Sequence, residues 1–396
     1  MTTETLPARW LTVVAIVFAG INLRPAIVSV SPLLQAVQLD LSLSSSTAGL
    51  LISLPVLLLG ISSPFAFVLV RRLTTSRAIS LSLAVLALGI LVRSLSALSN
   101  YDAAALWSGT VLIGVSLGVA NALVPSVIKE LPAHRRACST AALSFAICLG
   151  GALAAGTAGP LSHVLADQWS RAFLVWALPA LLCSVIWWYC PVSDRQAKRD
   201  PLPSLESSLF RHPLAIALCI HMGLQSFLSQ SVTAWLPTIL VVRGLNEVSA
   251  GSMLSMLMAA QLFTALGGVW LATRGHDQRV AVTVMYLVAL GGFFGCMQAP
   301  PSWVVPSVIL LGLGQGGTFS IGLLMIVLRA NTSRAALRLA SLTQFVGYTI
   351  ASVGPWLFGV LRDYYGSWRF AMPLFLGITV VGISAALYAA QNRRIL

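Results

Sequence analysis

The sequence predicts an all-α membrane protein of twelve transmembrane helices, arranged as two six-helix pseudo-repeats. Three observations carry that reading. Hydrophobic residues make up 57% of the 396-residue chain and charged residues only 9%, against about 25% charged in an ordinary soluble domain. Twelve apolar runs are long enough to cross a bilayer. Motifs in the first half recur in the second at a nearly constant offset. With a mean hydropathy of +0.88, a water-soluble globule of this length could not hide its apolar surface. Soluble enzymes, secreted disulfide scaffolds and disordered regulators are excluded.

A spanning helix needs about 20 apolar residues. The first-half runs are 10–36, 47–70, 78–98, 104–128, 137–160 and 171–191. Those of the second half are 213–240, 249–273, 280–298, 304–328, 339–360 and 370–390. The run beginning at Trp10 is too long for a signal-peptide core and reads as a retained first helix. The longest polar interval, 192–212, contains Arg195, Lys198, Arg199 and Arg211 among prolines. It reads as a cytoplasmic linker between an N-terminal half, 1–191, and a C-terminal half, 213–396.

The net charge of +13 records membrane topology rather than nucleic-acid binding, because positive loops are retained on the cytoplasmic side. With the N-terminus inside, that side receives Arg9, Arg71, Arg72, Arg77, Lys129, Arg135, Arg136 and the four linker charges. Arg274, Arg279, Arg329, Arg334, Arg338, Arg393 and Arg394 complete its eighteen. The opposite side receives four: Arg171, Arg243, Arg362 and Arg369. The bias places both termini in the cytoplasm and requires an even number of helices. The six cysteines form no CxxC pair and read as small buried hydrophobes, not metal ligands.

The repeat is visible in three places. LSSSTAG at 43–49 corresponds to LNEVSAG at 245–251, each opening an even-numbered helix. LIGVSLG at 112–118 corresponds to LLGLGQG at 310–316, and AGP at 158–160 to VGP at 353–355. The offsets are 202, 198 and 195 residues. Gly114 with Gly118, and Gly312 with Gly316, are GxxxG pairs that let helices approach closely. Gly312-x-Gly314-x-x-Gly317 fits a dinucleotide pattern, but it lies inside an apolar helix with no preceding strand, so a nucleotide is rejected.

Several segments resemble the cyanate permease and 2-nitroimidazole transporter family of the major facilitator superfamily. They are NLRPAIVSVSPLL at 22–34, ALVPSVIKEL at 122–131, AWLP at 234–237, GLGQGGTF at 312–319 and GPWLFGVLRD at 354–363. The resemblance covers essentially the full length. It implies a bacterial inner-membrane carrier, not an enzyme, that works as a monomer without a cofactor. It also implies alternating access around a cavity lined by helices 1, 4, 7 and 10, with 5, 8 and 11 contributing.

Arg24 is the sharpest candidate for substrate contact. It lies well inside helix 1, where a charge costs about 2.5–3.5 kcal/mol on insertion scales. No Asp or Glu lies within any of the twelve spans, so an internal carboxylate partner is missing. A planar guanidinium forks well onto a small anion or a nitro group. Pro25 follows directly and frees a carbonyl nearby. Arg93, near the outer end of helix 3, reads as a snorkelling or loop-anchoring residue.

Helix 7 carries Gln225, Ser229 and Thr233, four apart and therefore on one face. That stripe is expected to oppose Arg24 across the cavity. Asn22 on helix 1, Asn121 on helix 4, Gln261 on helix 8, Gln315 on helix 10, and Gln344 with Tyr348 on helix 11 add polar groups. Each serves either substrate binding or interhelical bonding. Trp235 offers a face for a planar substrate or an interface anchor. His221, embedded in helix 7, is the candidate for proton coupling. No metal site is implied.

Two functional readings stay open. One is facilitated or secondary-active movement of a cyanate-like anion, with Arg24 supplying the charge. The other is efflux of planar nitroimidazole-like or drug-like compounds, with or without proton coupling.

Overall fold

The computed structural model describes residues 6–95, 103–131, 133–166, 168–190, 211–273, 278–330 and 333–391. Among these residues the regular structure is helical, with no extended strand. The first predicted span is three pieces: α1 (Leu6–Asn22), α2 (Pro25–Val28) and α3 (Val30–Asp40). The second is α4 (Ser45–Ser62) and α5 (Phe65–Arg72), parted just before Phe65 at Pro64. Single helices form spans three to five: α6 (Thr75–Leu95), α7 (Ala103–Glu130) and α8 (Ala133–Val164). Span six is α9 (Trp169–Leu174) with α10 (Ala177–Tyr189).

The second half is more regular. Its helices are α11 (Pro213–Val242), α12 (Glu247–Thr273), α13 (Arg279–Gln298), α14 (Val304–Arg329), α15 (Ser333–Tyr365) and α16 (Ala371–Ala389). Eleven segments among the described residues are long and apolar enough to cross a membrane. The twelfth predicted span is α12, 27 residues long. The linker read at 192–212 lies almost wholly outside the described residues.

The chain forms two compact units, Met1–Val37 with Leu54–Leu202, and Gln38–Ser53 with Pro203–Leu396. The second unit thus takes in the end of α3 and the first half of α4. Each unit repeats one packing plan. In the first, α1 packs on α8 and α10, while α6 packs on α7 and α10. In the second, α11 packs on α15 and α16, while α13 packs on α14 and α16. These are corresponding pairs when the two halves are numbered alike.

Small residues set the helix spacing. A Cβ on Gly114 would meet Leu58 and Pro55 of α4, and one on Gly118 would strike Ser62 Oγ. Gly312 and Gly316 lie the same way against Leu257 O, Ala260 and Gln261 O of α12. Both GxxxG pairs therefore bring α7 and α14 onto the even-numbered helix of their own repeat. Hydroxyls add bonds that lipid cannot replace. Ser80 and Ser184 donate to each other's carbonyls at 2.7 and 2.8 Å across α6 and α10. Trp187 Nε1 donates to Ala15 O at 3.1 Å.

Arg93 departs from the snorkelling expectation. It is buried, and its guanidinium lies 4.9 Å from the Phe173 ring centroid. The long stem turns inward because the aromatic ring of α9 offers a cation–π face there.

Candidate functional site

The break in the first span centres on Arg24. α1 stops at Asn22 and α2 starts at Pro25, which has no N–H to donate back to Ile21 O. Leu23 N–H closes a tighter turn on Gly20 O at 3.2 Å. Arg24 O then accepts from both Ile27 and Val28 N–H, at 3.1 and 3.0 Å. Gly150 of α8 lies directly on Ile21 O, where any Cβ would clash. Helix 5 thus closes over the carbonyl that proline has freed.

Burial singles out Arg24. Asn22, Leu23, Pro25, Ala26, Ile27 and Val28 are all buried, and Arg24 alone among them is exposed. Among the described residues its guanidinium makes no hydrogen bond, and Cys148 of α8 is close enough to feel its charge. The arrangement presents an uncommitted cation, held by a hydrogen-bonded turn, beside the middle of helix 5.

The other first-unit candidates are more committed. Asn22 is buried and donates Nδ2 to Phe18 O at 2.8 Å. Asn121 is half-buried and donates to Leu117 O at 2.9 Å.

In the second unit the structure joins two candidates. Gln261 Nε2 donates to Gln315 Oε1 at 3.0 Å, linking α12 to α14 beside Gly316. Gln315 Nε2 has no acceptor among the described residues, although the residue is buried. The helix 7 stripe is uneven. Gln225 and Thr233 are buried and Ser229 is half-buried. Gln225 Nε2 donates to Ser226 Oγ at 2.6 Å. On α15, Gln344 is exposed and Tyr348 half-buried.

Trp235 has 1% of its surface exposed. Its Nε1 donates to Pro355 O at 2.8 Å, and its ring packs 5.2 Å from that of Trp368. The indole is committed to holding α11 against α15. Trp235→Phe is expected to lower thermal stability by about 1 kcal/mol for the lost hydrogen bond and to leave transport intact. Calorimetry on purified protein and uptake assays check the two halves of that expectation.

His221 is fully buried, its Nδ1 3.0 Å from Tyr286 Oη. The two rings meet edge-on at 5.7 Å. A Cβ on Gly322 would press on His221 Nε2 at 3.0 Å, so α14 seals that side. The pair sits in the packing core of the second unit. Tyr286 went unread in the sequence. A tyrosine midway along an apolar helix was the available signal, because its hydroxyl needs a partner in lipid.

Comparison with known proteins agrees with this architecture. The sequence profile of the Major Facilitator Superfamily matches residues 10–355. The chain is 34% identical over 387 residues to "uncharacterized transporter YycB" of Bacillus subtilis (strain 168), covering 98% of this chain and 94% of that protein. It is 31% identical over 381 residues to the 2-nitroimidazole transporter of Escherichia coli (strain K12), covering 95% and 93%. Against the cyanate transport protein CynX of the same strain it is 30% identical over 376 residues, covering 94% and 96%. Among solved structures, a D-xylose–proton symporter matches with a TM-score of 0.77 at 16% identity, covering 97% of this chain and 98% of the other.

Proposed function

The chain belongs to the major facilitator superfamily, and from that premise we propose that this multi-pass membrane transporter carries a small, cyanate-like anion. The observation that supports this most is Arg24, an exposed guanidinium held at a helix break within an otherwise buried segment. A charge kept at that depth against its insertion cost needs a counter-charge. A small anion supplies it, within reach of the guanidinium's fork of donors. Half-buried Asn121 of the same unit adds a neutral hydrogen-bonding group; within the second unit, Ser229, Gln344, Tyr348 and the Gln261–Gln315 pair are the polar groups left open to a solute. Asn22, Gln225, Thr233, Trp235 and His221 serve packing in this reading.

Two relatives are named for cyanate and for 2-nitroimidazole transport. Both solutes are small and polar, and the second cargo class is efflux of planar nitroimidazole-like compounds. The unpaired donor of Gln315 favours it, since an amide binds a nitro oxygen without fixing a charge. The orientation that goes with either reading is a bacterial inner-membrane monomer with both termini cytoplasmic.

Uptake of labelled cyanate and of labelled 2-nitroimidazole into proteoliposomes separates the two. Cyanate uptake without any imposed gradient is the expected result. Nitroimidazole movement that needs a proton gradient, with cyanate excluded, overturns the anion reading.

A further inference from the structure

The first turn of α4 is capped from the far end of the sequence. Any α-helix begins with N–H groups that have no intrahelical acceptor. Here Ser44 Oγ accepts from Thr47 N–H at 3.2 Å, the ordinary local cap. The N–H groups of Ser45 and Ser46 go elsewhere. They donate to Oδ1 and Oδ2 of Asp363, each at 2.8 Å, across 318 and 317 residues of chain. One carboxylate oxygen serves each donor, and the negative charge sits at the positive end of the helix dipole. All four groups lie in the second unit.

The surrounding contacts are built for close approach. Gly359 of α15 lies on Ser45 O, and a Cβ on Gly49 would meet Pro355 O at 2.6 Å. Ser53 Oγ accepts from Trp356 N–H at 3.0 Å. Pro355 is also where Trp235 is anchored. The start of α4 is therefore fastened along roughly two and a half turns of α15, with Asp363 at its tip.

The repeat carries a different arrangement among the described residues. Asn246 caps Ser249 N–H at 2.7 Å, just as Ser44 caps Thr47, at the 202-residue offset. There, however, the first turn carries its own acid, Glu247. At the 195-residue offset, Gln168 stands for Asp363 and Val164 for Gly359. Val164 is 81% exposed. The helix 5 end thus lacks the glycine that lets α15 lie against Ser45 O.

We propose that Asp363 is a releasable latch, holding the start of α4 to the end of α15 in this conformation and letting go during the transport cycle. Its exposure suits that task. Water can take over both the carboxylate and the two freed N–H groups, so release leaves nothing buried and unsatisfied. The transporter's second helix would then move as one piece about its Pro64 break. In the proposed orientation the latch lies on the outer face.

Alkylation of Ser53→Cys in nanodiscs, read site by site by mass spectrometry, tests it. Ser53 is buried against Trp356 when the latch is closed. Exposed Cys138 serves as the reference, and buried Cys183, Cys190, Cys219 and Cys296 report any loosening of the core. Asp363→Ala is expected to speed Ser53→Cys labelling at least about fivefold, with the native cysteines unchanged and Asp363→Glu near wild type. Ser45→Pro removes one donor, leaves Asp363 in place and is tolerated at a first helical position. It is expected to accelerate labelling as well. Rates within twofold of wild type in Asp363→Ala overturn the latch. If that variant loosens the core, a wild-type rate in Ser45→Pro overturns it instead.

Discussion

Arg24→Gln is expected to cut transport by about 10- to 100-fold while raising or preserving thermal stability. The two halves of that result have different causes. Losing a charge-assisted pair of hydrogen bonds to an anion costs about 1.5–3 kcal/mol, or roughly one to two decades. Removing a charge from mid-membrane depth relieves a penalty of about 2.5–3.5 kcal/mol. A structural arginine gives the opposite pattern, because its loss strands the groups it holds. Arg24→Lys keeps the charge but loses the planar fork, so transport is expected to fall about tenfold. Uptake in proteoliposomes beside thermal unfolding of the same preparations measures both. Normal transport by Arg24→Gln removes the charge from the site, and joint loss of transport and stability reassigns it to the scaffold.

The second large effect belongs to Arg329, and there stability falls instead. Arg329 is buried at the end of α14. Its Nε donates to Ala389 O at 3.0 Å, and its Nη2 to Ala390 O at 2.9 Å and to Gln278 Oε1 at 2.5 Å. Ala389 and Ala390 close α16, whose last carbonyls lack intrahelical donors. Arg329 satisfies them and ties α14 to α16. Arg329→Leu leaves these acceptors buried without this donor, an expected loss of about 2–4 kcal/mol. A melting shift of roughly 5 °C or more is the readout. The relative preference for cyanate over nitroimidazole is expected to stay as in the wild type. An unchanged melting temperature makes the staple energetically idle.

These two arginines show how far residue type carries. In the sequence Arg24 stands out, because a charge inside an apolar run is a one-dimensional anomaly. Arg329 stands at the edge of a run and reads as one loop charge among eighteen, although it is a buried staple. Arg93 reads as a snorkelling side chain and turns inward onto Phe173. The Gln261–Gln315 pair was legible as two separate amides on helices 8 and 10, but not as a pair. Trp235 and Pro355 are 120 residues apart, so nothing local says that the indole N–H is already committed. Asp363 lies beyond the apolar run of helix 11, where an acid is ordinary, so nothing local marks its partner.

Hydropathy, charge bias and internal repetition are properties of the chain read in order, and they predict the helix number and the duplicated plan, while the motif segments carry the resemblance to the superfamily. They also mark Arg24, since a charge deep in an apolar run carries an insertion cost that is legible from the sequence. The tertiary structure decided which polar groups are already satisfied. It gave Asn22 and Gln225 partners on their own helix, His221 a tyrosine, Trp235 a carbonyl, and the first turn of α4 a carboxylate from the last turn of α15. In lipid, a polar side chain must find a partner inside the protein. Which partner it finds depends on how helices distant in sequence pack, a geometry that no window of residues contains.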